Sequence, residues 1–391
     1  MISLAGRDIL HAWPKFLLTG MGLGLLIGVT LSMAGVYRGM VDDAQALLTH
    51  SGADLWIVQK NTQGPYAEAS SLKDDTVRSI VGMPGVAVAA NVTYFTMQVQ
   101  RGADEARAMV VGIESNLLAQ PGGPLHLLAG RPLTRSHYEA VVDVKTGFML
   151  GDTIRIRRHN YTVVGVTQRM VSSGGDPMVF ISLKDAQEAQ FLKDNDSIWN
   201  DRARSTSNST SNINTTATTS SHSVNAILVQ VQKGFTPAQV AEPIQRWKHL
   251  EAYDRVAMED ILVAKLIATS AKQIAMFLVI LSVVSAAIVA FIIYTMTMGK
   301  IREIAVLKLI GTSNFTIASM ILQQALGLGL IGFLVGKLVA TLWAPIFPKY
   351  VLLLQSDALI GLMVTLLICI AASTLAIRVA IKIDPAEAIG G

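Results

Sequence analysis

The chain is short of charge, cysteine and aromatic side chains. Of its 391 residues only 15% are Asp, Glu, Lys or Arg, 6% are aromatic, and Cys369 is the single cysteine. A soluble chain carries about 25% charged residues, so an ordinary cytosolic enzyme and a disordered protein are both excluded. One thiol forms no disulfide within a chain. A formal net charge of +4 is too small to argue for nucleic acid. Local signatures of catalysis are missing too. There is no G-x-x-x-x-G-K-[ST] loop to cradle a phosphate and no G-x-S-x-G elbow to present a nucleophile. Gly332 to Leu338 imitates the first with the wrong spacing and no hydroxyl residue. The seven histidines (His11, His50, His126, His137, His159, His222 and His249) have no i, i+4 or H-x-x-E-H arrangement, so no zinc ligand set is legible. The expectation is a chain that holds no metal or cofactor and does no catalysis alone.

What the chain has is apolar length. Hydrophobic residues make up 51% and the mean hydropathy is +0.45. A hydrocarbon core of about 30 Å takes roughly 20 helical residues at about 1.5 Å each. Four stretches suffice: Phe16 to Val36, Ile274 to Met298, Ile317 to Trp343 and Ala358 to Ile377. The first outruns a signal-peptide core and no small-x-small cleavage site follows it, so it reads as a retained helix. Near the span ends, Arg7, Lys15, Lys300, Arg302, Lys308, Arg378 and Lys382 fall on one side, against Arg38, Lys272 and Lys349 on the other. The positive-inside rule then predicts that both termini and the 299–316 loop are cytoplasmic. The section from 39 to 270 lies outside, with 21 Lys and Arg against 23 Asp and Glu.

That outside section reads as a small α+β domain. Asp54 to Gln59, Val86 to Gln100, Ala106 to Ile113, Glu139 to Val144, Thr153 to Val166, Met178 to Ile181 and Asn225 to Val231 alternate or run apolar like strands. The break Arg158-His159-Asn160 makes Thr153 to Val166 a hairpin. Ser71 to Val81 and Pro237 to Leu250 have helical spacing, giving two strand-helix-strand units that bracket the domain. Residues 195 to 223 are rich in Ser, Thr and Asn and have too little apolar surface to offset chain entropy, which predicts a flexible loop. Gly39 to His50 and Met258 to Ala271 read as helical continuations of the first two spans, a stalk beneath the domain.

Several positions are candidates for function. Gly20, Gly24 and Gly28 in the first span, and Gly329, Gly332 and Gly336 in the third, recur at helical spacing that lets backbones approach. They serve either packing within one subunit or a dimer seam. Lys337 interrupts the third span, either snorkelling to the headgroups or acting on a substrate or proton. Ile2 to Trp13 is amphipathic enough to lie along the membrane surface. The richest segment is Lys300 to Ser313. It joins helix formers to an apolar face at Ile301, Ile304, Leu307 to Lys308 and Gly311. A short helix there is either a docking element for a partner's groove or a solvated connector.

At this point a family comes into view. Arg302 to Ser313, REIAVLKLIGTS, resembles the cytoplasmic loop of MacB/FtsX-type ABC transporter permeases. The tail Ile383-Asp384-Pro385-Ala386-Glu387-Ala388-Ile389 is similar to their closing P-x-E-A-L signature, with Ile389 where Leu is usual. Gly52 to Gln59 with Gly64-Pro65-Tyr66-Ala67-Glu68 looks like the DevC branch. The Ser/Thr/Asn insertion after Asp194 departs from the pattern. The resemblance implies a membrane α-helical permease with four transmembrane helices and a large α+β extracytoplasmic domain. Its order would be an amphipathic segment (1–15), a first span (16–38), stalk and periplasmic domain (39–273), a second span (274–298), a cytoplasmic coupling helix (299–316), a third span (317–344), a short periplasmic loop (345–357), a fourth span (358–378) and a cytoplasmic tail (379–391).

The resemblance also implies an inner-membrane homodimer bound to ABC ATPase subunits that hold ATP and Mg, with a periplasmic membrane-fusion adaptor and an outer-membrane channel as further partners besides the lipid bilayer. Arg302, Glu303, Ile304, Leu307, Lys308 and Gly311 would couple to the ATPase. Lipid-like or other hydrophobic cargo would be expelled. Two alternatives stay open: an FtsX-like transmitter that moves a periplasmic hydrolase without transport, and a haem exporter.

Overall fold

The computed structural model describes residues 13–115, 120–124, 126–191, 223–247, 249–347 and 350–382. The amphipathic start, nearly all of the 195–223 loop and the 383–389 tail signature lie outside them. In chain order the elements are α1 (Trp13–His50), β1 (Leu55–Gln59), β2 (Leu72–Lys73), α2 (Thr76–Val81), β3 (Val86–Arg101), β4 (Asp104–Ile113), β5 (Leu127–Gly130) and β6 (Glu139–Asp143). There follow β7 (Thr153–Ile156), β8 (His159–Thr167), β9 (Met178–Ser182), α3 (Leu183–Phe191), β10 (Ser223–Val224), β11 (Ala226–Val231), α4 (Pro237–Gln245) and β12 (Leu250–Asp254). The last are α5 (Arg255–Asp260), a π-helical turn (Ile261–Ile267), α6 (Ala268–Gly299), α7 (Ile301–Leu309), α8 (Asn314–Trp343) and α9 (Gln355–Lys382). Two units result, Met1–Gly39 with Ser270–Gly391, and Met40–Thr269.

The first unit is helical. Leu17–His50, Arg255–Gly299, Asn314–Ile346 and Gln355–Ile381 are each long and apolar enough to cross a membrane. In lipid every backbone N–H and C=O needs an internal partner, which is why apolar runs rich in β-branched residues or glycine still form helices here. Its core joins Leu23, Ile27 and Leu31 of α1, Val289 and Ile293 of α6, Ile321, Leu328 and Phe333 of α8, and Cys369, Ala372 and Ala376 of α9. Most large apolar side chains of α6 point away from this core, Phe277, Val283 and Phe291 among them. That suits a helix whose solvent is lipid.

The second unit is built on one mixed sheet in the order β12-β1-β11-β3-β4-β9-β6-β8-β5, with β7 pairing β3 and β8. Strand β3 is 16 residues long and serves two cores. Its first half pairs antiparallel with β11, Ala89 opposite Val229, and its second half with β4, Met97 opposite Ala108. Beside the first half, α2 and α4 cover Leu55, Ile57, Ile227 and Val229 with Ile80, Val240 and Ile244. Beside the second, Val99, Val110, Val142, Ile154, Tyr161 and Phe180's neighbours Val179 and Ile181 close a separate core. β4–β9 and β6–β8 are parallel, and the other pairs are antiparallel. Every strand expected from the alternation is present. The hairpin turns one residue or so earlier than expected, at Arg157 and Arg158, because Ile156 pairs with His159 and Arg157 takes a left-handed φ of 53°.

Two expected helices are shorter than their spacing suggested. Of Ser71 to Val81 only Thr76–Val81 is helical, since Leu72–Lys73 pair with Ser223–Val224 instead. Of Pro237 to Leu250 only Pro237–Gln245 is helical. Its capping box, Thr236 with Gln239, fixes the start, and the chain then returns as the edge strand β12 against β1.

Glu139 ties β6 to the loop before it. Its carboxylate, 4% exposed, accepts from Arg131 at 2.6 and 3.1 Å and from the backbone N–H groups of Thr134 and Arg135, both at 3.0 Å. The Arg131 bonds, strengthened by those backbone donors, hold its pKa down to about 2. A carboxyl held lower in the folded than in the unfolded state stabilises above its unfolded pKa, and the contribution fades as pH falls toward the folded value. Between pH about 4.5 and 2 the protein should lose on the order of 2 kcal/mol from this group. Denaturant titrations of the detergent-solubilised chain at several pH values check it. Glu139→Gln should be less stable at neutral pH and show a flatter acid limb.

Candidate coupling site

The stretch from Lys300 to Ser313 forms a compact joint between α6 and α8. α7 closes with Gly311 at φ 93°, where the Thr312 N–H reaches the Leu307 carbonyl at 3.0 Å. That left-handed stop needs glycine. Two residues on, Ser313 caps α8 by accepting from the Thr316 N–H at 3.3 Å. The link is thus short and internally bonded, so α7 is not an independent tether.

The placement of the candidate residues divides them. Ile304, 1% exposed, and Ala305 face the helices of their own unit. The Lys308 ammonium donates to the Ile381 carbonyl at 2.7 Å, a cation at the C-terminal end of α9, where the helix dipole favours it. Ile304 and Lys308 therefore fasten α7 inward. Arg302 and Glu303 are exposed, Leu307 is half-buried, and Gly311 makes the turn. The sequence reading offered one apolar face, Ile301, Ile304, Leu307 to Lys308 and Gly311, for docking; the structure buries Ile304 of that face, and a second apolar set was missed. Val306, Leu309, Ile310 and Phe315 are all exposed, Ile310 by 76% and Phe315 by 82%. The signal was available: AVLKLIG is apolar at every position but Lys308, which a solvated connector has no reason to be.

The glycines of α1 lie against α8 of the same chain. A Cβ on Gly24 would fall 2.9 Å from the Gly332 carbonyl, and one on Gly28 3.0 Å from that of Gly336. In return, a Cβ on Gly336 would fall 2.7 Å from the Gly24 carbonyl and 2.9 Å from the Ile27 Cβ. Gly20 meets Ile331, and Gly329 meets the Cys369 sulfur on α9. The series continues beyond what the sequence reading singled out. Gly35 receives Val351 and Leu353, with the Leu352 N–H donating to the Gly35 carbonyl at 3.0 Å, and a Cβ on Gly39 would land on the Tyr350 carbonyl. Lys337 is exposed near the far end of α8 and has no ion-pair partner among the described residues. Gly336→Val should cost about 1–3 kcal/mol as overpacking and lower the melting temperature in detergent. Gly22→Val, with nothing within 4 Å of its Cβ, should leave melting unchanged.

In the second unit the end of α1 is held by the sheet domain. Ala44, Leu47 and Leu48 are buried. Asp42 pairs with Arg169, Asp43 lies 4.0 Å from the Lys145 ammonium, Gln45 donates to Glu259 at 2.7 Å, and Arg255 donates to the Thr49 hydroxyl at 2.7 Å. The fully buried Asp143 organises the two turns that carry these cations, accepting from the Lys145 N–H at 2.8 Å and the Met170 N–H at 2.7 Å. Burial pushes its carboxyl above the usual range, against the pull of those donors. Exposed ion pairs are worth about 0–1 kcal/mol. Burying a leucine contributes about 1.5–3 kcal/mol. The apolar contacts therefore hold the joint and the ion pairs set its register. Asp143→Ala would leave the buried Met170 N–H unpaired, at about 1–3 kcal/mol, and would free the part-buried Lys145 N–H. Amide exchange in residues 40–50 and 168–171 should quicken in that variant and much less in Asp143→Asn, which keeps an acceptor.

No cluster of three or more His, Cys, Asp or Glu able to hold a metal occurs among the described residues. Four membrane-crossing helices, a large sheet domain inserted after the first, and a short loop helix between the middle pair define a permease-type membrane subunit. Residues 16–247 match the model of the MacB-like periplasmic core domain and 275–385 that of the FtsX-like permease C-terminal domain. The chain belongs to the MacB/FtsX-type family of ABC transporter permeases, and such a permease works with an ATPase subunit. An uncharacterised ABC transporter permease of Mycobacterium tuberculosis is 25% identical over 100% of both chains, and one of Mycobacterium bovis is 22% identical over the same span. The periplasmic region of MacB from Actinobacillus actinomycetemcomitans is 13% identical, covers 55% of this chain and 94% of that one, and superposes with a TM-score of 0.36. The extracellular domain of the transporter YknZ from Gram-positive bacteria is 11% identical over 52% and 99%, with a TM-score of 0.34. At those scores the assignment rests on the two family models.

Proposed function

We propose that the chain is the membrane subunit of an ABC exporter in which α7 is the grip for the partner ATPase. The observation that carries this is the two-sided nature of α7. Its inner side is pinned by Ile304 and by Lys308 on the α9 carbonyl, while Val306 and Leu309, with Ile310 just past its end and Phe315 in the first turn of α8, are exposed and apolar, as Arg302 and Glu303 are exposed and charged. An exposed patch of that kind, rimmed by charge, suits a protein groove. The basic residues flanking the spans support a cytoplasmic position for α7 and both termini, in a bacterial inner membrane.

In this reading two copies work with two ATPase subunits, which hold ATP and Mg. A ligand shifts a conformational equilibrium only by its differential affinity for the two states, and ATP in the partner supplies that difference. Closure of the ATPases would move the α7 helices, and with them α6 and α8. Helix α1, packed on α8 through its glycines, would carry the motion into the domain that grips its end. Cargo would be hydrophobic or lipid-like and handed to a membrane-fusion adaptor and outer-membrane channel.

Leu309→Asp and Phe315→Asp should abolish stimulation of the partner's ATPase while the chain still folds and inserts. Loss of about 2 kcal/mol of docking energy per variant corresponds to roughly 30-fold weaker association. Co-purification and ATPase assays in proteoliposomes measure it. Unchanged coupling in both would overturn the assignment of α7. Ile304→Asp serves as the contrasting case, since it should damage the fold itself.

A further inference from the structure

The helical unit contains a slot that the coupling site does not use. It has a volume of about 790 Å³ and lies between α1, α6 and α9. Its deep end is made by Ile27, Ser285 and Ile368, and its mouth by Tyr37, Arg38, Lys272 and Asp357. Counting along each helix at about 1.5 Å per residue, mouth and floor are about 17–20 Å apart. That is the reach of one leaflet of a core about 30 Å thick, plus part of the headgroup layer. Ile360 and Val364 line the slot and are themselves exposed, so it opens sideways to the acyl chains.

The mouth is charged and unbalanced. Arg38 and Asp357 neutralise one another through a two-pronged pair, 3.1 Å from Nε and 3.0 Å from a terminal nitrogen. Only some of the five guanidinium donors are used there. Lys272 has no acidic partner among the described residues. One surplus cation with spare Arg38 donors over an apolar shaft complements an amphiphile with an anionic head. The shaft gives a free inorganic anion nothing to do. A second copy's helix sunk over the same length would displace roughly 1,400 Å³ as a cylinder of about 10 Å diameter, well beyond this volume.

We infer that this slot binds one anionic lipid-like molecule from the leaflet adjoining the inserted domain, with its phosphate or carboxylate on Lys272 and Arg38 and an acyl chain running down to Ser285. In the proposed topology that is the outer leaflet. The inference rests on the export reading, to which it adds the charge class of the ligand and the slot between α1, α6 and α9 that receives it.

The test uses the full chain with its partner ATPase in nanodiscs of phosphatidylcholine containing a minor fraction of phosphatidylglycerol that bears a diazirine on its acyl chain. After irradiation, labelling should concentrate on Leu31, Ile360 and Val364. Unlabelled phosphatidylglycerol should compete, whereas phosphatidylcholine and glycerol 3-phosphate should not. Lys272→Gln should lower labelling about tenfold, the worth of one charge-assisted hydrogen bond. Ser285→Trp should block the shaft, with Ala34→Phe as a second filling variant should the first fold poorly. Labelling spread evenly around the four spans, equal labelling by a phosphatidylcholine analogue, or indifference to Lys272→Gln would overturn the inference. So would a copy-to-copy disulfide in Ser282→Cys, which would place a second subunit there. The export reading has its own readout. Loss of the slot with wild-type ATPase coupling removes this inference alone, whereas intact slot labelling with no ATPase association removes the export reading.

Discussion

The close approach of α1 and α8 is the constraint on which the helical unit depends. Lipid tails are as apolar as leucine, so no hydrophobic force draws membrane helices together. Association comes from van der Waals contact, and that demands small residues at the seam. Gly24, Gly28, Gly332 and Gly336 meet this demand by letting each backbone reach the other's carbonyls. Any side chain there would push the helices apart by the width of a methyl group. A seam in which Leu23, Ile27, Val335 and Val339 seat directly on the facing glycines is also stiff. Stiffness matters because α8 begins two residues after Gly311 at the end of α7, and α1 continues past Gly39 into a different unit. Gly35 and Gly39 extend the same spacing toward the α8–α9 connection, so a single glycine-lined face of α1 receives two parts of the chain.

The inserted domain solves a related problem with a different device. It has two cores, and β3 runs along both: Val86 and Ala89 pack against one and Val99 is buried in the other. A strand shared in this way resists slippage because its backbone hydrogen bonds to β11 and β4 would all have to shift register together. A one-residue slip would turn every side chain to the wrong face. The α1 end enters beside the turns that Asp143 fastens, close in sequence to β6 and β8 and so to the second core.

Much of this was legible in the sequence, and the misses share a cause. The four spans were plain because twenty apolar residues in a row have few other uses, and the long strands because β-branched alternation over β3, β4 and β8 is unambiguous. The edge strand β12 was hidden: Leu250 to Asp254 is short, carries two acids and follows a helix without a glycine to mark its end. Helix α3 was missed for the opposite reason, since LKDAQEAQF has one modest apolar stripe and looks like a loop. Ser71 to Val81 was read as one helix because Leu72, Val77 and Ile80 fit helical spacing, yet Leu72 is claimed by a strand partner 152 residues on, Val224. Such pairings are set by tertiary contact. The slot behind Lys272 could not be read at all, because it exists only where three helices splay. The outer face of α7 was within reach, and was missed by assigning all apolar positions to one side.

The magnitudes decide which contacts can carry motion between the parts. Moving a two-state system from 1:99 to 99:1 takes about 5.5 kcal/mol of differential affinity. Any joint in series must survive that amount of strain without opening. The ion pairs of Asp42 and Asp43 and the Gln45–Glu259 hydrogen bond cannot, at about 0–1 kcal/mol each in partly exposed positions. Leu47 and Leu48 together, at about 1.5–3 kcal/mol apiece, nearly can, and Ala44 with the half-sheltered neighbours makes up the difference. The same comparison applies at α7, where the Lys308 bond to the Ile381 carbonyl would yield before the burial of Ile304 did. In the proposed mechanism, therefore, the apolar contacts at both joints would bear the load, and the charges would set only their register.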